Sequence, residues 1–232
     1  MAFAAVLAAV GVVGLQAPST SHPDVVLAAV LDRHGAEPSG GVSIFADEPA
    51  LNNSGWASCP DPIAWNVDTS GLSKAAAARQ LANLRWALAQ WNRASGLEFR
   101  YAGEAALVYD ESTFSLTRAD GYVPPERHIY LSFIADGSSR LLGGATVGQG
   151  GPSAVIAAAR EIVTANAVFR IDHVVRASTR AVRSLYLHEL GHALGLAHLR
   201  SSRSVMYPTV TDQVRLGAGD IKGVRSLTKP CP

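Results

Sequence analysis

Net charge is almost absent from this sequence, cysteine is scarce, and no stretch is densely basic. Twenty Lys and Arg face nineteen Asp and Glu in 232 residues, a formal net charge of +1. Without a basic stripe there is nothing to meet a phosphate backbone, which argues against a nucleic-acid partner. No internal repeat occurs, so a solenoid is not indicated. The first 23 residues lack Asp, Glu, Lys and Arg altogether, and the run MAFAAVLAAVGVVGLQAP is apolar and rich in small residues. Such a run over residues 1–17 reads as a signal peptide or a membrane anchor, although the usual basic residues ahead of it are missing. A buried N-terminal helix is the alternative.

Hydrophobic residues make up 48% of the chain, enough for a substantial core and too many for a disordered polymer. Residues 18–58 are rich in Pro, Gly, Ser and Asn, interrupted only by the amphipathic DVVLAAVLDRH at 24–34. They read as a linker or pro-segment, leaving residues 59–232 as one domain. Cys59 and Cys231 bracket that domain. In an exported protein such a pair is most simply a disulfide joining the two ends.

Within the domain, IAWNV (63–67) is a short strand pattern. Ser73 stands at an N-cap position before KAAAARQLANLRWALAQWNRAS, whose Leu81, Leu84, Leu88 and Trp91 recur at helical spacing, and Gly96 is placed to stop the helix. Strands are expected at Leu97–Tyr101, His128–Ile134, Leu142–Val147 and Glu161–Asp172, with 102–125 as a loop. Further helices are expected at Thr179–Leu194 and Asp220–Leu227. Five strands and three helices in this order indicate an α/β (α+β) sandwich with a mixed sheet.

The chemistry concentrates in HELGHALGLAH, residues 188–198, followed by SVMYP at 204–208. Positions i and i+4 of a helix share one face, so His188 and His192 can present two imidazoles to one ion. Glu189 points partly around the helix, beside a water on that ion rather than at the ion itself. Gly195 can adopt positive φ and turn the chain, which brings His198 back to the same point. Three neutral nitrogens with an open fourth position suit a catalytic zinc. The ion would lower the pKa of its water to roughly 7, and Glu189 would take the proton and pass it to a departing amine. Amide hydrolysis, most plausibly of a peptide bond, follows without a serine or cysteine nucleophile. A bare H-E-x-x-H also arises by chance on amphipathic helices carrying a structural histidine. The extended spacing with a nearby methionine turn is much more demanding.

With these residues the sequence resembles the metzincin zinc endopeptidases, and among them the matrixins. His188, Glu189, His192, Gly195 and His198 match the zinc motif, and Met206 matches the Met-turn, which in that family lies beneath the metal. WNRASGLEFRYAG resembles the first matrixin helix and second strand, and RLGAGDIKGVRSL the closing helix. The resemblance implies a metzincin-like catalytic domain with a five-stranded twisted sheet, a long N-terminal helix, an active-site helix and a C-terminal helix. It implies one catalytic Zn2+, a peptide or protein substrate, a monomer, and a secreted or membrane-anchored location. By the same likeness Gly143, Gly144 and Ala145 would lie on the edge strand that pairs with an extended substrate.

Some features depart from the family. Leu199 follows the third histidine where animal matrixins usually have serine. Residues 135–161 contain no histidine for a second, structural zinc, and His128 and His173 read as surface or strand histidines. Asp110, Asp120, Asp136 and Asp172 form no recognisable calcium loop, so calcium is not assigned. Ala57-Ser58-Cys59-Pro60-Asp61 does not match the cysteine switch of matrixin propeptides. A catalytically silent binding module and a zinc amidohydrolase acting on small amides are the alternatives to an endopeptidase.

Overall fold

A computed structural model describes residues 53–122, 127–135, 137–143, 145–209 and 211–231, together with the backbone of 25–27. The apolar residues 1–17, most of the 18–58 segment and Gly144 lie outside these, as do Asp136 and the Pro124-Pro125 pair. Among the described residues no helix is long and apolar enough to cross a membrane.

Local sequence dictates the first helix. The Ser73 side chain accepts the N–H of Ala76, α1 runs Lys74–Ser95, and Gly96 closes it at φ 78°. Leu84, Leu88 and Trp91 bury the expected stripe. Before it lie β1 (Val25–Leu27), β2 (Ala57–Ser58) and β3 (Ile63–Asp68); after it come β4 (Phe99–Glu104), the hairpin β5 (Leu107–Asp110) and β6 (Ser115–Arg118), and β7 (His128–Ile134). The chain then forms β8 (Gly148–Ile156), β9 (Glu161–Arg170), α2 (Ile171–Arg176), α3 (Thr179–Ala193), α4 (Ala218–Leu227) and β10 (Lys229–Pro230).

The main sheet has the order β1-β8-β9-β7-β3-β4. Strands β4, β3, β7 and β9 are mutually parallel, whereas β8 is antiparallel to β9. The mixed α/β architecture is therefore the expected one, with Val25–Leu27 added as a sixth strand on the far end of β8. Two strand placements are corrected. Leu142–Val147 is not a strand: the N–H of Thr146 bonds to the carbonyl of Gly143, making a turn, and pairing within β8 begins at Gly148. Glu161–Asp172 is a strand only to Arg170, and Asp172 and His173 belong to α2.

One face of the sheet presents Trp65, Val67, Ile129, Leu131, Phe133 and Phe169 to a core shared with α1 and α3, and Phe169 meets Tyr186 at a ring distance of 4.6 Å. The indole N–H of Trp91 donates to the Leu187 carbonyl across those helices. Burying these aromatics stabilises by roughly 2–3 kcal/mol each. The other face carries Asn66, His128 and Asn166 under the β5–β6 hairpin, where Asn166 donates to the Phe114 carbonyl. His128 Nε2 lies 2.7 Å from Asn66 Oδ1. Burial, reinforced by Arg100 and Arg118, pushes the His128 pKa down to about 4.

The ends of the domain meet. Strands β2 and β10 pair in parallel beside a disulfide between Cys59 and Cys231, 172 residues apart. In the chain-entropy picture a closure of that length is worth about 5 kcal/mol.

Candidate metal centre

Helix α3 is nucleated by Ser178, whose hydroxyl accepts the N–H of Ala181. Its last turn is buried on all sides, carrying His188, Glu189 and His192 at 4–5% exposure. The helix ends as the spacing requires. Leu196 donates to the Gly191 carbonyl, and Gly195 takes φ +93°. A Cβ there would also fall 2.2 Å from the Ser54 carbonyl oxygen, so glycine is demanded by both conformation and space. From this turn the chain returns His198 to the first two histidines.

The three Nε2 atoms lie 3.1, 3.2 and 3.3 Å from one another. Ligands of a tetrahedral zinc, each about 2.0–2.1 Å from the ion, are separated by about 3.3–3.4 Å. The ring protons agree with that fit. His188 Nδ1 faces the Val205 carbonyl oxygen at 2.7 Å, and His192 Nδ1 faces that of Leu196 at 2.8 Å. A carbonyl only accepts, so both Nδ1 atoms carry the proton and both Nε2 atoms turn lone pairs toward the same point. A cation reconciles them; a hydrogen bond between them does not. Burial lowers the His188 pKa to about 4 and that of His192 well below its usual value, which keeps both neutral. Among the described residues this is the one group of His, Cys, Asp and Glu side chains gathered closely enough to hold a metal.

Met206 is fully buried. Its carbonyl accepts the N–H of Leu199, and a Cβ on Gly191 would lie 2.3 Å from its sulfur. The turn is held from below by Asp220, itself completely buried. That carboxylate accepts the hydroxyl of Ser204 and the N–H groups of Val205 and Gly217. A relay therefore runs from α4 through the turn to the His188 ring. Sequence reading places Asp220 only at the start of the last helix. There it is an ordinary first-turn acid, and nothing local separates a solvated one from a buried one.

The pattern of the matrixin family matches residues 56–229. The chain belongs to the matrixin family. Individual relatives match over shorter stretches. Metalloendoproteinase 1 of Glycine max is 43% identical over 49 residues, 20% of this chain and 16% of that protein. Macrophage metalloelastase of Rattus norvegicus is 47% identical over 45 residues, 18% of this chain and 10% of that protein. The chain thus covers less than a fifth of either relative's length.

The remaining expected residues fall as follows. Gly143 and Ala145 sit in the turn before β8 rather than on the edge strand. Asp110 is capped by Ser112, Asp120 pairs with Arg118, and Asp172 pairs with Arg170 at 2.8 Å. These three acids therefore serve their own turns. His128 is a buried strand residue and His173 a half-buried helical one.

Proposed function

We propose that this matrixin is a zinc-dependent endopeptidase in which Glu189 is the general base. The observation that carries the reading is the convergence of three Nε2 lone pairs beside a buried carboxylate. Bound by His188, His192 and His198, zinc would polarise the scissile carbonyl and acidify a water. Glu189 accepts the proton from that water and returns it to the leaving amine, so one side chain serves both halves of the reaction. The outer edge of β8 over 148–153 bears no strand partner among the described residues and runs beside Glu189. An extended peptide pairs there through its backbone, a mode that places little demand on substrate sequence.

Export belongs to the same proposal. The apolar residues 1–17 act as signal or anchor, residues 18–58 as linker or pro-segment, and the Cys59–Cys231 bond suits an oxidising compartment. The test is cleavage of casein and quenched peptides of graded length, with and without chelator. Chelator-sensitive cleavage of long peptides is expected, with Glu189→Gln retaining zinc while kcat falls about 10²- to 10⁴-fold. Zinc binding without turnover points to a silent binding module. Turnover confined to small amides points to the amidohydrolase. Comparable turnover by Glu189→Gln excludes the base assigned here.

A further inference from the structure

Edge strand β8 and helix α3 approach more closely than side chains permit, and two glycines on one face of the strand make the approach. A Cβ at Gly150 would stand 2.1 Å from the carbonyl oxygen of Glu189 and 2.7 Å from its carbonyl carbon. A Cβ at Gly148 would stand 2.9 Å from Glu189 Cγ, 2.9 Å from Leu185 Cδ1 and 3.0 Å from Glu189 Oε1. Neither glycine has positive φ, so space and not backbone freedom requires them. The two contacts differ in kind. Gly150 abuts the helix backbone, which yields only by moving the helix. Gly148 abuts the side chain of Glu189 itself, which can yield by swinging away.

We propose that Gly148 is a positioning residue for the catalytic carboxylate. By lacking a side chain it leaves the Glu189 chain the room to extend past β8. The inference rests on Glu189 being the base of the proposed reaction. It goes beyond the zinc motif because the position of that base is then set from β8, outside α3. A misplacement of a reacting group by about 1 Å can cost about 10²-fold in rate, and a methyl at Gly148 is of the size to produce one. An alanine adopts the strand backbone at this position without strain, and its methyl meets side-chain atoms of Glu189 and Leu185 and no helix backbone, so the fold persists with a small loss of stability.

The test compares Gly148→Ala, Glu189→Asp and their combination in the full chain. Gly148→Ala is expected to keep one bound zinc, the wild-type chelator-competition affinity and a Tm only a few degrees below wild type. Its KM should stay close to wild type while kcat falls about 10- to 100-fold. A crystal structure of the variant should show the Glu189 carboxylate displaced and the α3 backbone in place. Shortening the side chain in Glu189→Asp removes its contact with the new methyl. The double variant should therefore lose less than the product of the two single losses. Unchanged kcat in Gly148→Ala, or single losses that simply multiply, overturns the inference. A fall in Tm or in zinc affinity that accounts for the lost rate also overturns it, by making Gly148 a packing residue. Absence of chelator-sensitive peptidase activity in the wild type is a different failure and removes the functional reading beneath it.

Discussion

Helix α3 and strand β8 pack directly against each other and contribute to the proposed site in opposite ways. On α3 the chemistry is carried by side chains: two imidazoles, one carboxylate, and an N-cap that fixes where the helix begins. On β8 it is carried by their absence. Gly148 and Gly150 bring a bare backbone against Glu189, and the strand edge over 148–153 has no partner among the described residues. A helix of this sort advertises itself in sequence, whereas a strand built on Gly-Gln-Gly-Gly-Pro reads as a loop. Pro152 is tolerated because the ladder shifts register just after it, at a bulge near the sheet edge. The proposed role of the helix lies in what is present, and that of the strand in what is missing.

That contrast can be attacked in order of expected effect. His192→Ala should weaken zinc binding so far that no stoichiometric zinc survives desalting, and reduce hydrolysis to background while the circular dichroism spectrum stays folded, since two histidines hold the ion far more weakly than three. Metal analysis beside an activity assay checks it, and retained stoichiometric zinc would break the assignment. Asp220→Ala acts on α3 from outside the motif. It strands a buried hydroxyl, the buried N–H of Val205 and the partly buried N–H of Gly217, which should cost about 2–4 kcal/mol in denaturant unfolding. By loosening the carbonyl that orients His188, it should also weaken zinc binding about 10- to 100-fold in chelator competition. Gly150→Ala should lower stability by about 1–3 kcal/mol, because the helix backbone has to move, and calorimetry reads that directly.

The smallest effect concerns pH in the metal-free protein. His128 and His188 have folded pKa values near 4, and burial holds His192 well below its usual value, whereas in the unfolded chain they titrate near 6.5. Between those values the unfolded state binds more protons, so stability rises with pH. It should be fully present above about pH 6.5 and decline as pH falls toward 4. Denaturant midpoints measured with chelator across that window check the sign. A midpoint that rises on acidification would contradict it.

How much was legible follows from where the information lies. The long helix is legible to its ends because Ser73, the Leu84–Leu88–Trp91 stripe and Gly96 each act locally. The zinc ligands were legible because their spacing encodes a helix, a turn and a return. The β5–β6 hairpin escaped because its strands have four residues each and chiefly Phe114 and Leu116 are buried. Helix α2 escaped because it has only six residues and follows β9 directly, with no capping side chain to mark its start. Asp220, Gly148 and Gly150 escaped because their roles depend on partners 15 to 41 positions away, which no local pattern records.

X-ray absorption at the zinc edge of the loaded protein tests the central claim most directly. Three imidazole nitrogens at about 2.0–2.1 Å, with one oxygen ligand and no sulfur, are predicted. One imidazole should disappear from the spectrum in His198→Ala. Fewer than three imidazoles in the wild type, or a His198→Ala spectrum identical to it, would contradict a metal centre held by residues 188, 192 and 198.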